Sequence, residues 1–215
     1  MQKLTLLFCL LLLPAISACN RDNAWQTAPT QIEVVASGTT ATLTVFANSN
    51  GHRQQLLQTE AFVGRNGCSP DKREGDGKTP TGVYEIRRAF GIAPAPATGI
   101  AYTRLSGGEV WVDDVASTRY NQWVAAPDAA KDWNSAENLS KQVVAYQYVA
   151  VIEYNTANIV KGGGSAIFLH CTEGKPTSGC ISVPEEAMVK ILGFIKPGTR
   201  IAIARSDAEL QSLVE

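Results

Sequence analysis

The pattern of apolar and polar positions along the chain predicts mostly strands. Residues 41–47 alternate between the two classes and are rich in β-branched side chains, which is typical of a half-buried strand. The dipeptide Asn50-Gly51 follows and supplies the positive φ angles of a tight hairpin turn. We therefore expect residues 54–63 to form the returning strand of a hairpin.

Further strands are expected wherever short apolar runs lie between polar or Gly/Pro-containing segments. These runs are residues 83–87, 109–112, 149–154, 165–170 and 199–204. Residues 149–154 and 165–170 are almost continuously apolar, which indicates strands buried on both faces at the centre of a sheet. The connections 91–108 and 113–147 are rich in Pro, Gly, Ala, Asn and Asp. Connections of this length usually form binding or active-site loops.

Helical periodicity is confined to the C-terminal part of the chain. Residues 188–195 place apolar side chains on one helical face, and Ser182 with Glu185 resembles a capping box. Residues 207–214 are expected to form a short terminal helix. The pattern as a whole predicts a mostly β domain in which one helix starts immediately after Cys180, with long loops around the site.

The first residues have the pattern of an export signal. Residues 1–18 combine a positively charged start with an apolar run that is shorter than the roughly 20 residues a membrane-spanning helix needs. The sequence Ile-Ser-Ala-Cys at residues 16–19 resembles a bacterial lipobox, in which Cys19 becomes the lipidated first residue. We expect an exported, periplasmic lipoprotein that Cys19 anchors to the outer membrane. Ordinary cleavage nearby and a short membrane anchor also fit this segment.

Composition limits the partners of the remaining chain. With 215 residues, 45% hydrophobic and 18% charged, the sequence describes one soluble domain, and a formal net charge of -1 provides no basic surface for nucleic acid. We divide it into a signal peptide (1–18), a linker (19–30), the main domain (31–205) and a short helical tail (206–215). We expect a monomer. With two histidines in the chain, a zinc site would depend on cysteines or carboxylates, and we expect no metal.

The cysteines are an odd set whose roles depend on the compartment. Removal of the signal deletes Cys9, lipidation would use Cys19, and Cys68, Cys171 and Cys180 remain. Three thiols in an oxidising compartment form at most one disulfide and leave at least one cysteine free.

Residues 165–184 contain the candidate chemistry. His170 ends an apolar strand, a Gly- and Pro-containing loop follows, and Cys180 emerges from the turn at Ser178-Gly179. A neighbouring imidazole or a helix N-terminus would lower the thiol pKa and supply thiolate. Gly179 would let the amides from Ser178 to Cys180 point at a developing oxyanion. Spacing alone also allows a structural role, in which Cys180 is a buried small side chain and His170 holds the strand end.

This segment resembles the catalytic motif of the YkuD-type L,D-transpeptidases, in which a His is followed after a loop by Ser/Thr-His-Gly-Cys. Ser178 stands where many members have His, and Ser182 stands where many have Arg or Asn. The Thr-Pro-x-Gly sequence within residues 72–82 and the residues at 111–114 and 120–121 resemble further motifs of one branch of the family. The resemblance covers roughly residues 60 to 204.

The resemblance implies a fold, an activity and a set of roles. The fold would be a β-sandwich or mixed sheet with one helix after the cysteine. Cys180 would be the nucleophile, His170 the general base and the backbone carbonyl of Cys171 its orienting group, with the amides at Ser178 and Gly179 holding the oxyanion. The family releases D-Ala from a tetrapeptide stem of peptidoglycan and passes the acyl group to an amine. No cofactor is implied.

Three further residues are candidates for substrate binding. Lys72 and Arg73 could form charge-assisted bonds with stem carboxylates, and Tyr120 could contact the stem, although a core role is more usual for a tyrosine.

The sequence leaves several functions open. With water as acceptor the activity would be that of an L,D-carboxypeptidase. A cysteine peptidase or amidase that acts on wall peptides also fits these residues, and so does a non-catalytic wall-binding lipoprotein. A disulfide between Cys68 and Cys171 would brace the site and leave Cys180 free.

Overall fold

The computed structural model describes residues 24–49, 52–125 and 130–215. The predicted signal peptide, the predicted lipidation site Cys19 and the predicted turn at Asn50-Gly51 lie outside these residues. The two strands that flank this turn do form a hairpin, in which Ser49 lies opposite His52.

The described chain contains many short strands and few helices. The three helices among these residues are α1 (Ala24–Thr27), α2 (Glu185–Phe194) and α3 (Asp207–Val214), with one 3-10 turn at Leu139–Lys141. The strands are β1 (Thr30–Ser37), β2 (Thr40–Ser49), β3 (His52–Phe62), β4 (Cys68–Ser69), β5 (Thr79–Pro80), β6 (Gly82–Gly91), β7 (Ala101–Arg104), β8 (Val110–Val112), β9 (Trp123–Val124), β10 (Ala136–Asn138), β11 (Val149–Ile152), β12 (Phe168–Cys171), β13 (Ile181–Val183) and β14 (Arg200–Ala204).

One large mixed sheet organises the domain. Among the described residues it has nine strands in the order β11-β12-β13-β3-β2-β1-β14-β6-β7. The strand β6 also pairs with β11, so all strands of this sheet except β7 form a closed ring. The pairs β12–β13 and β1–β14 are parallel, whereas β11–β12 is antiparallel. The prediction of a mostly β, mixed-sheet fold is confirmed.

The strand β12 separates two apolar clusters. Leu169 and Cys171 belong to the main core, together with the buried face of α2. Phe168, on the opposite face of the strand, belongs to a second cluster with Trp111 and Tyr146. Every residue of β11 and β12 is buried, as the apolar runs predicted for central strands. This alternation decides which side chains of β12 face the core and which face the site.

Several elements lie in segments that had no strand or helix prediction. The long strand β1 was missed, and the short strands β7, β9 and β10 lie inside the predicted loops. The helix α1 lies in the predicted linker, and its Trp25 packs against Leu210 of α3. Strands of two to four residues carry too few positions for a periodic pattern, so their pairing partners define them.

The capping box proposed for α2 is wrong. Ser182 lies in β13 and its hydroxyl donates to Thr172 Oγ1 at 3.3 Å, and Pro184 precedes the helix without a side-chain cap. The strand β13 therefore stands between Cys180 and the helix start. Because the field of a helix terminus decays within its first turn, α2 is not the source of thiol activation.

The three cysteines of the described residues are all free, so the bridge proposed between Cys68 and Cys171 is not formed. The Cys171 thiol donates to the carbonyl of Tyr148 at 3.7 Å on the core face of β12, whereas the charges of Arg205 and Glu209 act on Cys68. No helix in the described part of the chain is long and apolar enough to cross a membrane.

Candidate active site

His170 and Cys180 share one pocket of about 610 Å³. The strand β12 carries His170, and the turn that leads into β13 carries Cys180, so the parallel pairing of these strands brings the two residues together. The connection 113–147 also reaches the pocket through Glu137 and Tyr146, as predicted for a site loop. No residue of the second long connection, 91–108, lines it.

Two backbone groups hold the sulfur of Cys180. The amide of Phe168 donates to Sγ at 3.4 Å, and the thiol donates to the carbonyl of Ala166 at 3.2 Å. Ala166 has a φ of 51°, a left-handed conformation that a non-glycine residue rarely adopts. Its amide is held by Asn121 Oδ1 at 3.1 Å. The strained backbone of Ala166 thus directs its carbonyl oxygen at the thiol. Because a carbonyl can only accept, the sulfur that donates to it is protonated at rest.

Two threonines fix the turn before Cys180. Thr177 Oγ1 donates to the Cys180 carbonyl at 2.6 Å, and Thr79 Oγ1 from the Thr-Pro-x-Gly segment donates to the same carbonyl at 3.2 Å. Gly179 has a φ of 147°, and a Cβ at this position would lie 3.0 Å from the Lys78 carbonyl oxygen. Glycine is therefore required here for both conformation and space.

The amides expected to hold an oxyanion are not equivalent. The Gly179 amide donates to Thr177 Oγ1 at 3.1 Å, which commits it within the turn. Of the amides expected to hold an oxyanion, those of Ser178 and Cys180 therefore remain as candidates. The Ser178 hydroxyl accepts a hydrogen bond from Arg65 Nη1 at 2.8 Å, so a guanidinium stands beside this turn.

The backbone carbonyl of Cys171 fixes the tautomer of His170. His170 Nδ1 lies 2.8 Å from this oxygen, and a carbonyl can only accept, so Nδ1 carries the proton and Nε2 carries the lone pair. The ring of Tyr146 packs edge-on against the imidazole with centroids 5.6 Å apart. Burial lowers the pKa of His170 below its usual value. The imidazole is therefore neutral at rest and able to accept a proton.

The environment does not supply a preformed thiolate. Burial, the largest cause, and the Glu137 carboxylate raise the pKa of Cys180 to about 12, against the Phe168 amide and the Lys72 ammonium, which lower it. The expectation that the surroundings lower this pKa overall is wrong, because desolvation outweighs the favourable contacts.

The pocket lining also contains acidic side chains. Glu137 and Asp113 both line the pocket, and the Tyr146 hydroxyl donates to Glu137 Oε1 at 2.7 Å. Burial, with a smaller contribution from Asp113, raises the pKa of Glu137. Acidic and basic side chains therefore both line the site, and Lys72 and Arg65 lie next to the cysteine turn.

Of the three residues predicted to bind substrate, Lys72 lines the pocket. Its ammonium donates to Asp76 Oδ1 and to the Arg73 carbonyl, each at 2.6 Å. Arg73 itself is exposed and borders a separate pocket of about 410 Å³.

Tyr120 lies behind the pocket wall with 1% exposure. Its hydroxyl donates to Glu74 Oε2 at 2.5 Å and accepts from the Gly164 amide at 3.0 Å. It therefore reaches the pocket through its neighbours Glu74 and Ser165, which both line it.

Sequence reasoning missed several residues of this site. Arg65, Thr79, Asn121, Glu137 and Tyr146 each contact the cysteine turn, Ala166 or His170, or line the pocket. Thr79 and Asn121 do lie in segments with motif resemblance, which was the available signal. Among the described residues, no group of three or more His, Cys, Asp or Glu is arranged to hold a metal ion.

The fold and the site together define a class: mostly β domains that place a cysteine and a tautomer-fixed histidine in one open pocket. The family model for the YkuD L,D-transpeptidase catalytic domain matches residues 31–203. The chain belongs to this family. No curated protein matches the chain in sequence.

Two solved structures are similar to the described fold. Bd1075 of Bdellovibrio bacteriovorus is 17% identical with a TM-score of 0.46, over 86% of this chain and 54% of that one. L,D-transpeptidase 1 of Mycobacterium tuberculosis is 12% identical with a TM-score of 0.39, over 82% of this chain and 62% of that one. The chain thus spans between half and two thirds of the length of these proteins.

Proposed function

We propose that the protein is a peptidoglycan L,D-transpeptidase that forms a thioester between Cys180 and a tetrapeptide stem. The observation that carries this proposal is the bond from His170 Nδ1 to the Cys171 carbonyl, because it leaves Nε2 as a base in the pocket of Cys180. Family membership supports the substrate class.

In the first half-reaction the Cys180 proton passes to His170 Nε2 as the sulfur attacks the carbonyl carbon of the third stem residue. The C–N bond to D-Ala then breaks, and the imidazolium returns its proton to the leaving amine. Because the thiol and the imidazole are both neutral at rest, proton transfer accompanies the attack. Cys180 must then release its bond to the Ala166 carbonyl.

In the second half-reaction an amine of another stem attacks the thioester. Its proton passes to His170 Nε2, the C–S bond breaks, and the sulfur recovers the proton, which regenerates the thiol. Water in place of the amine would give the L,D-carboxypeptidase reaction. In both steps the amides of Ser178 and Cys180 would stabilise the tetrahedral oxyanion.

Mass spectrometry of the intact protein with a carbapenem tests the nucleophile. We expect one covalent adduct on the wild-type chain, no adduct on Cys180→Ala and an unchanged adduct on Cys68→Ala, which removes another half-buried thiol. An adduct that survives Cys180→Ala assigns the chemistry to another residue. The absence of any adduct on the folded wild-type chain contradicts the proposal.

Defined tetrapeptide stems distinguish the reactions that such a site could perform. Release of D-Ala with a cross-linked product is the result expected of a transpeptidase, and D-Ala release without cross-links is that of a carboxypeptidase. A cysteine amidase or peptidase would cut a different bond. Binding to isolated wall without turnover would leave a non-catalytic wall-binding lipoprotein.

We also infer that the protein is an exported, periplasmic monomer anchored to the outer membrane through Cys19. The support for export and for the anchor is the sequence of residues 1–19 alone. Metabolic labelling with a fatty acid should mark the wild-type chain and not Cys19→Ser, and membrane fractionation should place the labelled chain in the outer membrane. Light scattering tests the monomer.

A further inference from the structure

The segment 72–78 lies beside the cysteine turn, and the chemistry proposed above leaves it unused. We propose that Lys72 is a positioning residue whose buried ammonium stabilises the negative charge that develops on Cys180 as it loses its proton. This inference rests on the proposed role of Cys180 as nucleophile. It replaces the expectation that Lys72 reads a carboxylate of the substrate.

The charge of Lys72 is held in place by its own loop. The side chain is 3% exposed, and Nζ donates to Asp76 Oδ1 and to the Arg73 carbonyl, each at 2.6 Å. The Asp76 carboxylate accepts two further bonds, from the amides of Arg73 at 2.8 Å and Lys78 at 2.9 Å. Two of the three ammonium protons are therefore committed, and the cation is oriented before any substrate binds. A charge fixed in this way needs no reorganisation during the reaction.

The aliphatic stem of Lys72 runs against the cysteine turn. A Cβ at Gly179 would lie 3.6 Å from Lys72 Cε, and a Cβ at Gly164 would lie 3.2 Å from the same atom. The stem therefore passes between two glycines, one of which directly precedes Cys180. Larger side chains at these two positions would meet the lysine, so glycine at both leaves room for the Lys72 stem beside the cysteine turn.

The charged groups around the thiol oppose one another. The Glu137 carboxylate raises the pKa of Cys180, and the Lys72 ammonium lowers it. The neutral His170 imidazole and the Tyr146 hydroxyl also face this pocket. Lys72 thus opposes, in part, the effects of burial and of Glu137, which disfavour the sulfur anion.

The rate of alkylation of Cys180 by iodoacetamide tests this role without any wall substrate. Rates are measured on the full chain by site-resolved peptide mass spectrometry, at several pH values on the limb where reactivity rises with pH. We expect Lys72→Met, which keeps most of the stem, to react about tenfold more slowly than wild type, as for a pKa raised by about one unit. Lys72→Arg, which keeps the charge, should recover most of the rate. Lys190→Met, which removes an exposed lysine from α2, should react like wild type.

Two results would overturn the proposal. One is a folded Lys72→Met variant that reacts at the wild-type rate, and the second is an equal loss in Lys72→Arg, which would assign the effect to side-chain fit. Lys72→Met could fail to fold because Asp76 loses its partner. In that case the double variant Lys72→Met/Asp76→Asn, which removes both charges, is compared with wild type by the same alkylation rate. The alkylation assay requires only the Cys180 thiol and no wall substrate. A lack of D-Ala release would therefore refute the proposed function without affecting the test of Lys72.

Discussion

The two faces of β12 perform different tasks with side chains that alternate along four residues. One face contributes Leu169 and Cys171 to the main core, and the opposite face contributes Phe168 and His170 to the pocket side. Both faces are fully buried at the level of the strand. Burial therefore does not distinguish a structural position from a functional one. The difference lies in what each face meets.

The two thiols on either side of this strand make the same point. Burial raises the pKa of Cys171 to about 11 and that of Cys180 to about 12. Ionisation would rank Cys180 as the poorer nucleophile. Cys180 nevertheless shares a pocket with His170, whereas Cys171 faces the apolar core. Access to the pocket and the neighbouring imidazole, and not the resting pKa, distinguish Cys180 from Cys171.

The largest effect is expected on the pocket face. His170→Ala should reduce the rate of acylation by a carbapenem or stem peptide by about 10²- to 10⁴-fold, because it removes the proposed general base. Stopped-flow or timed intact mass spectrometry measures the rate, and circular dichroism verifies the fold. Wild-type acylation in a folded His170→Ala protein would remove the functional distinction between the faces.

On the core face we expect a loss of stability instead. Leu169→Ala should lower the free energy of unfolding by about 2–5 kcal/mol, because it leaves a cavity beside α2 in the main core. Urea unfolding measures this difference. At urea concentrations below the unfolding transition, the acylation rate per folded molecule should stay close to that of wild type. A loss of rate as large as that of His170→Ala would contradict the distinction between the core face and the pocket face of β12.

The pH dependence should separate base-assisted from unassisted reactions of Cys180. Because its pKa is raised to about 12, the thiolate fraction rises about tenfold per pH unit across the neutral and mildly alkaline range, and so should alkylation by iodoacetamide. Acylation of wild type should instead rise only through the lowered pKa of His170 and then level off. In His170→Ala the acylation profile should follow the alkylation profile. Parallel profiles in the wild type would argue against His170 as base.

The smallest effect is expected at the core-face thiol. Cys171→Ala should cost about 1 kcal/mol of stability and leave acylation unchanged, because only the backbone carbonyl of this residue contacts His170. Thermal unfolding and timed mass spectrometry measure the two quantities. A large loss of acylation in this variant would show that the core-face side chain has a part in the chemistry.

The sequence could predict those elements in which the pattern of apolar and polar positions repeats several times. The hairpin β2–β3, the central strands β11 and β12 and the helix α2 all have such patterns, and His170 and Cys180 stand in a motif of fixed order. Short strands such as β9 and β10 have no usable period. Their pairing with β8 defines them, and that pairing is a contact distant in sequence.

The contacts that complete the site were less predictable. Arg65 meets Ser178 across 113 positions of the chain, and Thr79 meets Cys180 across 101. The direction of the Cys180 pKa was also mispredicted, because the sequence shows the neighbours that favour an anion but not the desolvation that opposes it. The capping box failed for a related reason, since Ser182 pairs with Phe62 of β3 within the sheet.

Trp25 shares an apolar cluster with Leu210 of α3, which fixes the start of the described chain to the domain. If Cys19 carries a lipid, five residues, or six Cα-to-Cα steps, separate that anchor from Trp25, the first buried side chain among the described residues. A chain of this length spans at most about 20 Å when fully extended. The proposed enzyme would then work on a short tether, and would reach only the part of the wall that lies close to the lipid surface.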